Sequence, residues 1–114
     1  SGEPAISCTE CQANNAKDCT GPTCQGNYCI YELTTPDNGV PHVRRSCSLH
    51  SYAVYPDGTR TVLHNECERK SIFGTSYAID VCNTGSFCDT MCSGSLNFSL
   101  LSILIISVIG LIMF

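Results

Sequence analysis

The first 95 residues of this 114-residue chain are short of ordinary apolar side chains. Fourteen of its 49 residues in the AVILMFWYC class fall in Leu96–Phe114, and 10 of the other 35 are cysteine, which leaves 25 for a conventional core. That is too few to offset chain entropy comfortably by apolar burial alone. Charge is also sparse: the net −4 is mild and mixed, no basic patch stands out, and every charged residue lies at or before Asp89. Nucleic-acid binding is therefore not indicated. No window outside the C-terminal run carries a helical apolar stripe, and there are no internal repeats, no low-complexity tract and no second domain. No Met opens the chain and no apolar run precedes Cys8, so the sequence starting Ser1-Gly2-Glu3-Pro4 is read as a precursor whose signal peptide has been removed.

What the chain has instead is cysteine. Ten lie between Cys8 and Cys92: Cys8, Cys11, Cys19, Cys24, Cys29, Cys47, Cys67, Cys82, Cys88 and Cys92. An even number at this density in a small domain implies five disulfides and a secretory route. Each bridge is worth ~2–4 kcal/mol, non-additively. Spacing alone leaves the pairing open.

The tail from Leu100 to Phe114 is almost wholly apolar. It is at the short end for a membrane span and carries no Lys/Arg flank. Just upstream stand three small residues, Ser93-Gly94-Ser95. Small triad, spacer and apolar tail together form the signal for a glycosylphosphatidylinositol (GPI) anchor, although Leu96–Ser99 is a short spacer. The expected organisation is an extracellular cysteine-rich domain over 1–93, lipid-linked at Ser93 to the outer leaflet of the plasma membrane, and an anchor-signal propeptide over 94–114. Gly94 or Ser95 is the fallback attachment site, and a retained transmembrane helix is the alternative. The one glycosylation sequon, Asn97-Phe98-Ser99, would leave with the propeptide.

Strand signals dominate the domain. Tyr28–Thr34 is rich in β-formers, Thr35-Pro36-Asp37-Asn38-Gly39 is turn chemistry, and Val40–Cys47 returns as a partner strand, with Pro41 keeping its start at an edge or in a loop. A second hairpin is expected from Ser51–Tyr55 and Thr59–Leu63 around Pro56-Asp57-Gly58. Ser76–Val81 reads as a last strand entered through Phe73-Gly74. Cys8–Gln25 reads as loop, with one short strand near Ile6. The fold class is all-β: a small disulfide-rich domain of hairpins followed by a hydrophobic tail.

The C-x2-C opening, the segment Cys24-Gln25-Gly26-Asn27-Tyr28-Cys29 leading to Ser46-Cys47, and the terminal cluster of cysteines resemble the three-finger superfamily of snake toxins, lymphocyte-antigen-six and urokinase-receptor domains and activin-receptor ectodomains. The resemblance spans Cys8–Cys92. It implies the pairs Cys8–Cys29, Cys11–Cys19, Cys24–Cys47, Cys67–Cys82 and Cys88–Cys92. Many members carry GPI anchors and bind receptors, channels or secreted ligands. The Gly-x-Tyr-Cys and Gly-Ser-Phe-Cys-Asp segments are also similar to the ET module of nematode surface proteins, which implies nested bridges Cys29–Cys82 and Cys47–Cys67 instead.

Catalytic chemistry finds little support. Cys8-Thr9-Glu10-Cys11 matches C-x-x-C, but among eight further cysteines it reads as two structural half-cystines rather than a redox or zinc site. His42, His50 and His64, even beside Asp57 or Glu66, accompany no nucleophile signature. Arg44-Arg45 reads as a solvated strand face and Glu68-Arg69-Lys70 as an exposed turn or loop. Of Tyr28 and Tyr31, and of Tyr52 and Tyr55, one member each should pack inside. The natural contact loops are the Pro36–Val40 tip and the Tyr55–Thr59 turn, with Pro36, Asp37, Asn38, Tyr55 and Asp57 as candidate partner-binding residues. The expectation is a non-enzymatic surface protein that binds an extracellular protein partner, with no cofactor, metal, nucleic acid or small-molecule substrate. The alternative is a structural or trafficking role without a specific ligand.

Overall fold

The computed structural model describes residues 5–92; Ser93, the expected propeptide over 94–114 and the sequon lie outside the described residues. The domain is all-β. Seven strands run in chain order: β1 Ile6–Thr9, β2 Cys11–Asn14, β3 Thr23–Gly26, β4 Tyr28–Thr35, β5 His42–Ser48, β6 Cys67–Ile72 and β7 Thr75–Cys82. β1 and β3 form a two-stranded sheet, and the other five form an antiparallel sheet in the order β2-β5-β4-β7-β6. The β-former-rich segment at Tyr28 becomes the central strand, hydrogen-bonded to both β5 and β7. β5 begins at His42, immediately after Pro41, which has no N–H to give to a ladder. Gly26 ends β3 where a Cβ would come within 2.9 Å of the Cys47 Cβ, so only glycine permits that approach to β5.

Three expectations need correction. Cys8–Gln25 holds two strands, β2 and β3, beyond the short one expected near Ile6, which is β1. Glu68-Arg69-Lys70 is not a turn; it lies inside β6, an edge strand. Charges on an edge strand discourage pairing with another chain, which is why a strand can look like a loop in sequence. The hairpin around Pro56-Asp57-Gly58 is reduced to one bridge, Val54↔Arg60, within a long crossover between β5 and β6.

All ten cysteines are paired: Cys8–Cys29, Cys11–Cys19, Cys24–Cys47, Cys67–Cys92 and Cys82–Cys88. The first three pairs are those the three-finger resemblance implies. The last two replace its Cys67–Cys82 and Cys88–Cys92, and the nested pairs Cys29–Cys82 and Cys47–Cys67 of the ET module are not formed. The physical reason lies in the strand register. Cys82 ends β7 at the base of the sheet, opposite Cys29, whereas Cys67 starts β6 opposite Asp80, further along. The chain after β7 meets Cys82 first, through Cys88, and Cys67 later, through Cys92.

Both faces of the large sheet are partly covered. On one face the 49–66 crossover brings Ala53 and Tyr55 against Ile30, Ile79 and Val81, with Tyr28, Ile72 and Tyr77 at the margin. The opposite face is ordered in rows from base to tip. The first is cystine: Cys47, Cys29 and Cys82 lie side by side and pack with Cys8, Cys24 and Cys88. The next is Cys11, Arg45, Tyr31, Asp80 and Cys67, one residue from each of the five strands. Above it run Ala13, Val43, Leu33, Ala78 and Arg69.

The second row docks two segments. Arg45, expected on a solvated face, is mostly buried: Nη2 lies 2.9 Å and Nε 3.2 Å from the two oxygens of Asp89, whose side chain is 0% exposed. Its Nη1 reaches Asp18 at 3.2 Å. Tyr31 donates its hydroxyl to the Lys17 carbonyl. Asp80 Oδ2 accepts the Met91 N–H at 2.9 Å, and its buried Oδ1 has no hydrogen-bond partner among the described residues. The bridges Cys11–Cys19 and Cys67–Cys92 tie the same two segments to the edge strands.

Removing one partner of a buried ion pair strands the other, at about 3–5 kcal/mol. Arg45→Met should therefore lower stability by about that amount, and Arg45→Met with Asp89→Leu should cost less than Arg45→Met alone; equilibrium denaturation of the three proteins checks this. Asp80 gives a pH signature. Burial pushes its carboxyl above the usual range, the Met91 N–H opposes this, Asp89 adds to it and Arg45 opposes it. A carboxyl raised in the folded state contributes stability below its unfolded pKa and loses it as pH rises through the folded pKa. Asp80→Asn keeps an acceptor for Met91, so its stability relative to the wild type should rise from the acid range toward neutrality, measured as the difference between the two denaturation profiles.

Candidate partner-binding surface

Three turns gather at the tip end of the large sheet. In the first, between β4 and β5, the Gly39 N–H closes on the Pro36 carbonyl at 2.9 Å and Asn38 Oδ1 accepts the Val40 N–H at 2.9 Å. Pro36 is half-buried while Asp37 and Asn38 are exposed. The second joins β6 to β7 through Phe73 and Gly74, with Ile72 paired to Thr75. Both central residues have positive φ, 49° and 81°, the signature of a type I′ hairpin turn. This turn lies against the first: a Cβ on Gly74 would stand 2.8 Å from Asp37 Oδ1.

The third turn, 55–59, is held down on the other face by β6. The Gly58 N–H bonds the Tyr55 carbonyl at 2.9 Å. Asp57 Oδ1 accepts the Thr59 N–H at 3.0 Å and its hydroxyl at 2.6 Å. Lys70 Nζ reaches Thr59 Oγ1 at 2.8 Å and Asp57 Oδ2 at 3.4 Å, and sits 4.7 Å above the Tyr55 ring. The Thr59 hydroxyl and N–H, with Lys70, hold the Asp57 carboxyl below its usual range against a small burial effect. Asp57 therefore spends its hydrogen-bonding capacity inside the turn.

Tyr55 is not a contact residue. It is 2% exposed, and its hydroxyl donates to Glu68 Oε2 at 2.5 Å. Strand parity explains the correction: Ala53, Tyr55 and Thr61 point to the sheet, so Tyr52, Val54, Arg60 and Val62 point away from it. Burial and the Glu68 carboxylate push the Tyr55 phenol well up. Glu68 Oε1 also accepts the N–H groups of Val62 and Leu63, at 2.7 and 2.9 Å. Burial would raise the Glu68 carboxyl, but Tyr55, these two N–H groups and Lys70 outweigh it and hold it below its usual range. Glu68 and Lys70, which read as loop residues in sequence, are thus the clamps of the crossover.

Several exposed residues were not flagged by sequence. Phe73 is 98% exposed at the tip of the β6–β7 turn. On the outer side of the crossover, the Arg60 guanidinium lies 4.0 Å over the Tyr52 ring, His50 stacks on the same tyrosine at 5.3 Å, and Val54 and Val62 are exposed beside them. The detectable signal was parity, with one buried tyrosine implying outward neighbours; Phe73 gave none, since a Phe-Gly pair also suits a strand entry. Of the histidines, His42 Nδ1 meets Asn14 Oδ1 at 3.0 Å, His50 is stacked and His64 is exposed. No hydrogen bond among the described residues joins a histidine to Asp57 or Glu66, and none of their His, Cys, Asp and Glu side chains cluster as metal ligands would. No family model, no curated protein and no solved structure matches the chain.

The Tyr55 hydroxyl bonds a charged acceptor, a contact worth about 1.5–3 kcal/mol. Tyr55→Phe should lower stability by about that amount in thermal or denaturant unfolding, leaving the exposed tips unchanged in protease accessibility.

Proposed function

We propose that the chain is a non-enzymatic, GPI-anchored extracellular domain of three-finger type that captures a protein partner with its tip end. The observation that carries this is Phe73. A non-glycine residue in the left-handed region costs about 1–3 kcal/mol, and such strain persists where function requires it. Here the residue is a large aromatic with almost no contact to its own domain. Burying its ring in a partner's pocket would recover about 2 kcal/mol of apolar transfer. The neighbouring Asp37 and Asn38 supply a polar rim of the kind that surrounds binding hot spots. Asp57 and Tyr55 support the tip from within.

Five disulfides support an oxidising compartment. The small triad after Cys92 and the apolar residues that follow support the anchor. Three of the five bridges agree with the three-finger pairing, which supports that part of the reading, and two are exchanged. Release of the surface-expressed protein by a phosphatidylinositol-specific phospholipase is the expected outcome; retention in the membrane would favour a transmembrane helix.

Phe73→Asn separates function from fold. Asn-Gly is a favoured type I′ pair, so the variant should gain about 1 kcal/mol in stability. The same change should abolish binding of the multimerised domain to cells that display the partner, read by flow cytometry. Undiminished binding would remove Phe73 from the contact surface.

A further inference from the structure

Alternate residues of β4 take opposite faces of the large sheet, so Glu32 and Thr34 share the crossover face with Ile30. On that face Glu32 is in register with Ile79, and Thr34 with Tyr77. Tyr55 and Pro56 of the crossover stand beside these four, and an open cleft of about 240 Å3 lies among them. It adjoins the 55–59 turn at the tip end. Its one carboxylate is Glu32, which is half-buried and makes no hydrogen bond or ion pair among the described residues. Arg44, its cross-strand neighbour on β5, is exposed and forms no ion pair with it. Burial pushes the Glu32 carboxyl above its usual range, and Arg44 offsets this only in part. The other charges packed on the sheet are satisfied: Arg45 with Asp89, Glu68 with Tyr55, and Lys70 with Asp57. A carboxylate partly withdrawn from water without a donor costs free energy, and the domain itself supplies no donor for this one.

We propose that this cleft receives a single cationic side chain, lysine or arginine, projected by the protein partner. The inference rests on the protein-binding reading above and adds the chemistry the partner must present. Size, walls and charge agree. The cleft is smaller than the roughly 300–1,000 Å3 of a small-molecule site, and suits one long side chain. Ile79 and Pro56 offer apolar surface to the methylene stem of such a residue. Tyr77, held edge-on to Tyr55 with ring centroids 6.0 Å apart, offers an aromatic ring to its charged head. Glu32 then gains the donors it lacks, in a charge-assisted hydrogen bond, and Thr34 supplies a further acceptor. With Phe73 entering an apolar pocket of the partner, the partner's cation entering this cleft would fix the orientation of the complex.

The test uses the full chain in detergent micelles, labelled for amide NMR and titrated separately with acetyl-lysine amide, acetyl-arginine amide and the uncharged acetyl-norleucine amide. At least one cationic probe should give saturable shifts centred on residues 32–34, 54–56 and 77–79, and the norleucine probe should not. Glu32→Gln keeps the side-chain shape and removes an unpaired half-buried charge. The variant should therefore fold at least as stably as the wild type at neutral pH, and should bind the cationic probe at least about tenfold more weakly. No saturable shift with either cationic probe in the wild type, equal shifts with the norleucine probe, or undiminished affinity in Glu32→Gln would each overturn the proposal. None of these readings involves Phe73, so failure here leaves the Phe73 contact standing, and undiminished cell binding by Phe73→Asn leaves this cleft standing.

Discussion

The buried contact between Arg45 and Asp89 is the constraint around which the rest of the domain is arranged. The guanidinium grips both carboxylate oxygens beneath the sheet face, with Asp18 as a third partner at the edge. Desolvating such a pair is expensive, and an apolar pair of similar volume would often serve stability as well. What the pair supplies is position. It fixes the register of the C-terminal segment over the sheet, so that Cys88 falls on Cys82 and Cys92 on Cys67. It also draws in the Lys17–Cys19 segment through Asp18 and the Tyr31 hydroxyl. A domain with so few ordinary apolar residues cannot fix two loops by packing alone, and here it uses bridges at the edges and a charged row in the middle.

The other face solves the same problem with β6. Glu68 and Lys70 alternate on the inner side of that strand and hold the crossover by carboxylate and ammonium contacts rather than by apolar burial. Asn65, in a left-handed conformation, adds a further tie: its N–H bonds the Val81 carbonyl and its side chain accepts the Asn83 N–H. The apolar cluster around Ile30, Tyr55 and Val81 is then closed by polar contacts at its margin. Both faces thus combine a small apolar patch with a specific electrostatic clamp.

These devices explain what could be read from the residues and what could not. β4 and β7 were legible because Tyr28–Thr34 and Ser76–Val81 are rich in β-formers, and β5 because the turn chemistry at Thr35–Gly39 returns the chain beside β4. β6 was not, because its charged residues are spent clamping the crossover that precedes it, and pattern alone shows only their polarity. Arg45 was misplaced for the same reason: strand parity tells which face a residue takes, not what covers that face. β1 was expected near Ile6, but β2 and β3 were hidden by turn-forming residues around short strands pinned by bridges. Three bridges followed the family resemblance, and two did not, since they depend on the path of the chain after β7. Of the candidate contact residues, Asp37 and Asn38 are exposed at the tip as read. Tyr55 was displaced by parity, and Phe73 emerged only once the turn geometry was known.

The path of the chain after β7 is the central claim, because the docking of residues 88–92 on the sheet depends on it. Disulfide mapping under non-reducing conditions tests it most directly. Cleavage at Lys70, Phe87 and Met91 places Cys67, Cys82, Cys88 and Cys92 on separate peptides. The expected linked pairs are Cys67 with Cys92 and Cys82 with Cys88. Recovery of Cys67 with Cys82 and of Cys88 with Cys92 would contradict the account, since the C-terminal segment would then have no bridge to the sheet.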